Sequence, residues 1–206
     1  MTTLEAQEWI FGVTHPEARR PRKGRCWKGF FVNVLVTAAS KHGSTETIGK
    51  EIAVGLRNRG VYAEFCPPGD VSSLDEYDAV IIGSAVYGGH WIQPATTFVE
   101  THARALRKLP VWLFSSGPVG DPPKPDKDSI HVENIVEATG AREHQVFAGR
   151  IEHSELGFVE RAMVKAVHAT DGDYRDWGAV RDWTIEIADA LGVTAGSHDS
   201  GTSSAA

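Results

Sequence analysis

In the stretch "VTAASKHGSTETIG", Val36 to Gly49, one glycine, Gly43, stands among Ser40, Lys41, His42, Ser44 and Thr45. An apolar run ends just before it and a helical pattern begins just after it. These residue types suit anion binding. Backbone N–H groups from about His42 to Thr45 would project from a helix N-terminus, where the peptide dipoles sum to roughly half a positive charge. Ser40, Ser44 and Thr45 add hydroxyl donors, and Gly43 permits the close approach or unusual backbone angle of a phosphate nest. The triphosphate loop GxxxxGK[ST] does not fit, because no glycine precedes Gly43 at the right spacing and no lysine follows it. The dinucleotide fingerprint GxGxxG is absent as well. A polar strand-to-helix turn whose Ser and Thr only cap the helix is the competing reading.

Two further stretches carry similar potential. In "GSAVYGGHW" the paired Gly88 and Gly89 let backbone amides approach a ligand's edge, while Tyr87, His90 and Trp91 could wall a flat aromatic ring. A surface turn with an aromatic packed back on the core is the plainer alternative. "SSGPVGDPP" adds a third run of small residues. His42, His90, His102 and His153 show no metal-ligand spacing, so no metal site is expected.

The elements that must hold these stretches follow from spacing. Apolar, β-rich runs at Phe31–Thr37, Val61–Cys66, Ala79–Ser84, Val111–Ser115 and Gln145–Gly149 alternate with helical patterns, the rhythm of a parallel α/β sheet. "AVIIGSAV" and "VWLF" lack alternation, as central strands covered on both faces do. "VYAEFC" alternates and suits a flanking strand. Ile48, Ile52 and Leu56 recur every four residues up to Gly60, a helix stop. Further helices are expected from about Pro94 to Lys108, from Leu156 to Ala169 and from Trp177 to Leu191. Five strands with right-handed crossovers predict a doubly wound sheet of order 2-1-3-4-5 with helices on both faces, its ligand at the strands' carboxyl ends. The three stretches above all fall at that edge. The connection from Gly117 to Gly140, with Pro118, Pro122, Pro123 and Pro125 before the weak helical stretch "SIHVENIVEA", is long for a compact domain.

Composition narrows the function classes. A formal charge of −6 argues against generic nucleic-acid binding, which needs excess Lys and Arg. Residues 1–30 hold six Lys/Arg against three Glu, a net +3 that leaves −9 for the remainder and marks an appendage outside the domain at 31–192. "ARRPRKGR" there is either an arm for anionic lipid or a partner, or simply a solvated leader, and the leader is favoured. Residues 193–206 lack aromatic residues and read as a disordered tail. Cys26 and Cys66 form no CxxC or Cys/His cluster, which leaves a reduced, cytoplasmic setting as the expectation. No run approaches the ~20 apolar residues of a membrane span.

Ser40, Gly43 and Thr45 occupy the positions of a flavodoxin phosphate motif: apolar strand, Ser or Thr, two residues, Gly, one residue, Thr, then helix. The chain resembles the flavodoxin family over roughly Phe31 to Leu191. It departs at Ala38, where the family usually has an aromatic residue, and at Gly49, where Ala is usual, differences of packing more than of phosphate contact. The resemblance implies a flavodoxin-like fold and FMN as cofactor, its phosphate at Ser40, Lys41, His42, Gly43, Ser44 and Thr45. The flavin ring would lie between two loops. One is Ala85, Val86, Tyr87, Gly88, Gly89, His90 and Trp91; the other is Ser116, Gly117, Pro118, Val119 and Gly120.

A narrower branch, the flavodoxin-type menaquinone-dependent protoporphyrinogen oxidases, is similar at "IIGSAVYGGHWIQPATTFVETHARAL", at "PPKPDK" and across "FAGRIEHSELGFVERAMVKAVHATDGDYRDW". That last segment adds an amphipathic stretch which small electron-carrier flavodoxins lack. Its Val159, Met163, Ala166 and Val167 side could lean on a membrane's inner face or shape a quinone route, although core packing against a sheet is the commoner use of such a stripe. The resemblance thus implies an FMN-dependent oxidoreductase that oxidises protoporphyrinogen or a comparable small reduced substrate and passes electrons to a quinone. From its place in the ring-side loop, His90 is expected to handle a proton. An electron carrier docking with redox partner proteins, and a flavin-free scaffold, are the alternatives.

Overall fold

The computed structural model describes residues 32–117, 127–151 and 172–193. The 1–30 appendage, the tail beyond Val193, Pro118, Val119, Gly120 and the expected helix Leu156–Ala169 therefore lie outside the described residues.

The described elements are, in chain order, β1 (Asn33–Ala39), α1 (Ser44–Asn58), β2 (Tyr62–Phe65), β3 (Ala79–Tyr87), β4 (His90–Trp91) and α2 (Gln93–Leu106), then β5 (Val111–Ser116), α3 (Glu133–Thr139), β6 (Glu143–Phe147), β7 (Arg150–Ile151), β8 (Gly172–Asp173) and α4 (Trp177–Ala190). Five parallel strands pair in the order β2-β1-β3-β5-β6. This is the expected 2-1-3-4-5 arrangement, with β4 added antiparallel on β3. β7 and β8 form a separate antiparallel pair. The expected fifth strand at Gln145–Gly149 lies two residues earlier, because Glu143 and His144 pair with Trp112 and Leu113. Within "SIHVENIVEA" begins α3, which runs on to Thr139 and closes at Gly140 in the left-handed region.

Each face of the sheet buries its own core. Val34, Val36, Ala38, Ile81 and Phe114 pack with Ile48, Ile52 and Leu56 of α1 and Val180, Trp183 and Ile187 of α4. Leu35, Val80, Ile82 and Leu113 pack on the other face with Phe98 and Val99 of α2 and Ile135 of α3. Burying each such side chain is worth about 1.5–3 kcal/mol, so both layers are held by the strands' alternating faces.

Because β3 is apolar on both sides, alternation cannot fix its register against β5. A shape match does. Gly83 and Phe114 are paired neighbours, and a Cβ on Gly83 would lie 2.1 Å from Phe114 Cζ. The ring occupies the space that the missing side chain leaves. A similar exchange joins β2 to α1: a Cβ on Gly49 would lie 2.8 Å from Phe65 Cε2 and 3.3 Å from Ala38 Cβ. Phe65 fills the gap that two small residues open.

Candidate functional site

The turn between β1 and α1 starts the helix without a side-chain cap. Its N-cap is Gly43, at φ 77° and ψ −12°, a left-handed conformation that only glycine adopts freely. No described heavy atom lies within 4 Å of where its Cβ would stand, so the surface there is open. The first helical bond runs from Thr47 N–H to the Gly43 carbonyl at 2.9 Å, and the Thr47 hydroxyl donates to the same oxygen at 2.9 Å. N–H groups of a helix's first turn have no intrahelical acceptor. Thr45 is 1% exposed, whereas Lys41 and Gly43 face solvent and Ser40, His42 and Ser44 are half-buried.

Two contacts tie this turn to the other loops. Lys41 Nζ lies 5.6 Å from the centroid of the Tyr87 ring, a cation–π approach that brings the first loop to the end of β3. Ser44 Oγ accepts a hydrogen bond from the backbone N–H of Arg150 at 3.1 Å. Spacing offered no sign of Arg150 as a neighbour, since the pair is 106 positions apart.

At the end of β3 the chain reverses through a two-residue hairpin. Tyr87 pairs with His90 and Val86 with Trp91, across Gly88 at φ 58° and Gly89 at φ 81°. Two successive positive φ values are what a tight type I′ turn requires. Gly-Gly between Tyr87 and His90 was the sequence signal for this hairpin, and it separates residues expected on one loop. Ala85 and Val86 belong to β3 and are buried. Trp91 turns inward and is 6% exposed, its indole N–H donating to Ser115 Oγ at 2.7 Å. Tyr87 and His90, paired on the opposite side, are half-buried and exposed respectively. The His90 ring lies 4.9 Å from that of His131 at an angle of 32°.

The ends of β5 and β6 complete the edge. Ala85 pairs with Ser116, so the two expected ring-side segments begin side by side. A Cβ on Gly117 would stand 3.1 Å from the Val86 carbonyl, and one on Gly149 would stand 3.3 Å from Gly117 Cα. Backbones approach closely only because neither residue carries a side chain. Ser116 is 1% exposed, and its hydroxyl has no hydrogen-bond partner among the described residues. A buried hydroxyl left so costs about 1–3 kcal/mol, a cost that a polar ligand reaching it would offset.

Behind this edge, Tyr174 N–H donates to the Gly149 carbonyl at 3.1 Å. Arg175 grips Asp173 through two hydrogen bonds of 2.7 and 2.6 Å. The side-chain bond from Arg175, with smaller electrostatic help from Arg175 and Arg150, holds the Asp173 carboxyl below the usual aspartate range. A separate groove of about 300 Å³ runs between α1 and α4, lined by Val54, Arg59, Trp177 and Ile185 among others. It involves none of the carboxyl-edge loops.

An open glycine-capped helix start, the Gly88–Gly89 turn beside it and a doubly wound parallel sheet define a flavodoxin-like domain. Residues 35–177 match the family model described as a flavodoxin domain, and the chain belongs to that family. It is similar to the protoporphyrinogen IX dehydrogenase [quinone] of Escherichia coli (strain K12), 24% identical over 175 residues that cover 76% of this chain and 95% of that protein. Among solved structures, a flavodoxin from the domain Archaea superposes with a TM-score of 0.53 at 16% identity, over 78% of this chain and 99% of that one. The flavodiiron core of Flv1 from Synechocystis sp. PCC6803 gives a TM-score of 0.54 at 19% identity, over 78% of this chain and 36% of that one.

Proposed function

We propose that the chain is an FMN-dependent oxidoreductase that oxidises protoporphyrinogen or a related reduced substrate and delivers the electrons to a quinone. The observation that carries the cofactor is the helix start at Gly43, uncapped by any described side chain and open to solvent. It fits a phosphate monoester, since oriented N–H groups and the helix dipole favour a dianion there. In this reading Ser40 to Thr45 hold the phosphate, with Lys41 and His42 adding positive or neutral donors. Tyr87, Gly88 and Gly89 and the Ser116 hydroxyl, whose burial without a partner suits a polar ring edge, receive the flavin. Bound FMN would accept two electrons and release them singly, chemistry that belongs to the cofactor. His90 faces outward beside His131, where an imidazole can hold or pass a proton.

The substrate rests on likeness to the E. coli protoporphyrinogen IX dehydrogenase [quinone]. Among the described residues no helix is long and apolar enough to cross a membrane. The competing reading, an electron carrier, draws support from the likeness to flavodoxins and from the −6 charge, which suits docking to basic partners. Anaerobic assay of the purified flavoprotein with protoporphyrinogen and a menaquinone analogue separates the two. Porphyrin formation coupled to quinone reduction is expected of the enzyme. Two well-separated one-electron potentials without turnover would favour the carrier.

A further inference from the structure

From the geometry of the hairpin we infer that His144 is a positioning residue for the ring-side turn, acting through Ser115 and Trp91. Trp91 Nε1 lies 2.7 Å from Ser115 Oγ, and His144 Nε2 lies 2.8 Å from the same oxygen. Ser115 is fully buried and Trp91 nearly so. Indole can only donate, so the Ser115 oxygen accepts from it, and the hydroxyl proton stays available for an unprotonated His144 Nε2. Three strands are thereby joined: β4 through Trp91, β5 through Ser115 and β6 through His144.

The consequence for the turn is geometric. Tyr87 and His90 face each other across the two-residue hairpin, while Val86 and Trp91 share the other side. Side chains alternate along a strand, so fixing Trp91 inward fixes His90 outward, and its pairing partner Tyr87 with it. A second bond holds the same strand, from Ile92 N–H to Ser84 Oγ at 3.1 Å. On the lateral side His131 N–H donates to the Gly89 carbonyl at 2.8 Å, so the turn rests between two clamps. With two residues in β4, there is little other backbone pairing to hold it.

This inference rests on the FMN reading, in which the turn touches the flavin ring and not the phosphate. The test measures FMN dissociation constants for the wild type, Trp91→Phe, His144→Ala and His144→Gln, alongside inorganic phosphate binding to each apo-protein. Trp91→Phe removes the N–H together with part of the indole's buried bulk, whereas His144→Ala leaves Trp91 itself intact. We expect about three- to tenfold weaker FMN binding in Trp91→Phe and His144→Ala, the loss of roughly one net hydrogen bond. The double variant should lose little more, because both act on one chain of contacts. Phosphate binding should stay unchanged, and His144→Gln, whose amide can still meet Ser115, should recover most of the loss. Unchanged FMN affinity in both single variants, or an equal loss of phosphate binding, overturns the inference. Failure of the wild type itself to bind FMN would instead refute the cofactor reading.

Discussion

Ser44 Oγ accepts a hydrogen bond from the Arg150 backbone N–H at 3.1 Å, joining the first turn of α1 to the segment that follows β6. The bond closes one side of the carboxyl edge with a side chain from the first loop. Ser44→Ala should therefore cost about 0.5–1.5 kcal/mol of stability and weaken FMN binding by a similar factor. Urea midpoints and flavin titration check both. A stability loss with intact FMN affinity would show that the bond only ties segments together.

Gly43 tests backbone conformation apart from packing. Since no described atom crowds its absent Cβ and its φ is 77°, Gly43→Ala should cost about 1–2 kcal/mol through the left-handed conformation alone. Gly43→Asn should cost less, because asparagine tolerates that region better. Equal destabilisation by both, read from thermal unfolding, would point to a steric contact instead.

Gly83→Ala is a steric test in the core. The added methyl would sit 2.1 Å from Phe114 Cζ, so the ring must move, at a cost of about 1–3 kcal/mol or more. Combining it with Phe114→Leu should recover part of that loss, because both changes act on one shared space. Chemical denaturation of the two single variants and the double reads the coupling.

Asp173 supplies a pH dependence. Its folded-state pKa is lowered by the Arg175 hydrogen bond, so its contribution is fully present above the unfolded value of about 3.9. It is lost as the pH falls through the lower folded value. Asp173→Asn should accordingly reduce stability at neutral pH and converge with the wild type in strong acid. Because Asp173 is exposed, the difference should stay within about 1 kcal/mol. Paired acid-unfolding curves are the measurement.

The sheet order was legible because the runs "AVIIGSAV" and "VWLF" are apolar without alternation, which only strands covered on both faces can be. The glycine-capped turn between β1 and α1 was legible for a local reason, a strand, a glycine and a helix within a few residues. Trp91 was not. Whether it faces a ligand or the core depends on how many residues the turn spans, and one residue more would reverse it. Gly88 and Gly89 carried that information, but as paired glycines they equally suit backbone approach to a ligand. The neighbours Arg150, Gly149 and Tyr174 were invisible for another reason. β7 and β8 have two residues each, too short for any period, and their pairing joins distant positions.

Thr45 links the motif to binding strength. It is 1% exposed in the first turn of α1, so Thr45→Val keeps its shape while removing the hydroxyl. We expect FMN binding weaker by about 1–3 kcal/mol, the worth of a charge-assisted hydrogen bond. Unchanged affinity in fluorescence titration would leave the hydroxyl a purely structural role.

The most direct measurement compares FMN with riboflavin on the apo-protein, since the two differ only in the phosphate. If the Gly43 turn holds that phosphate through several charge-assisted hydrogen bonds, FMN should bind on the order of 100-fold or more tightly than riboflavin. Equal affinity for both, or no binding of either, would contradict it.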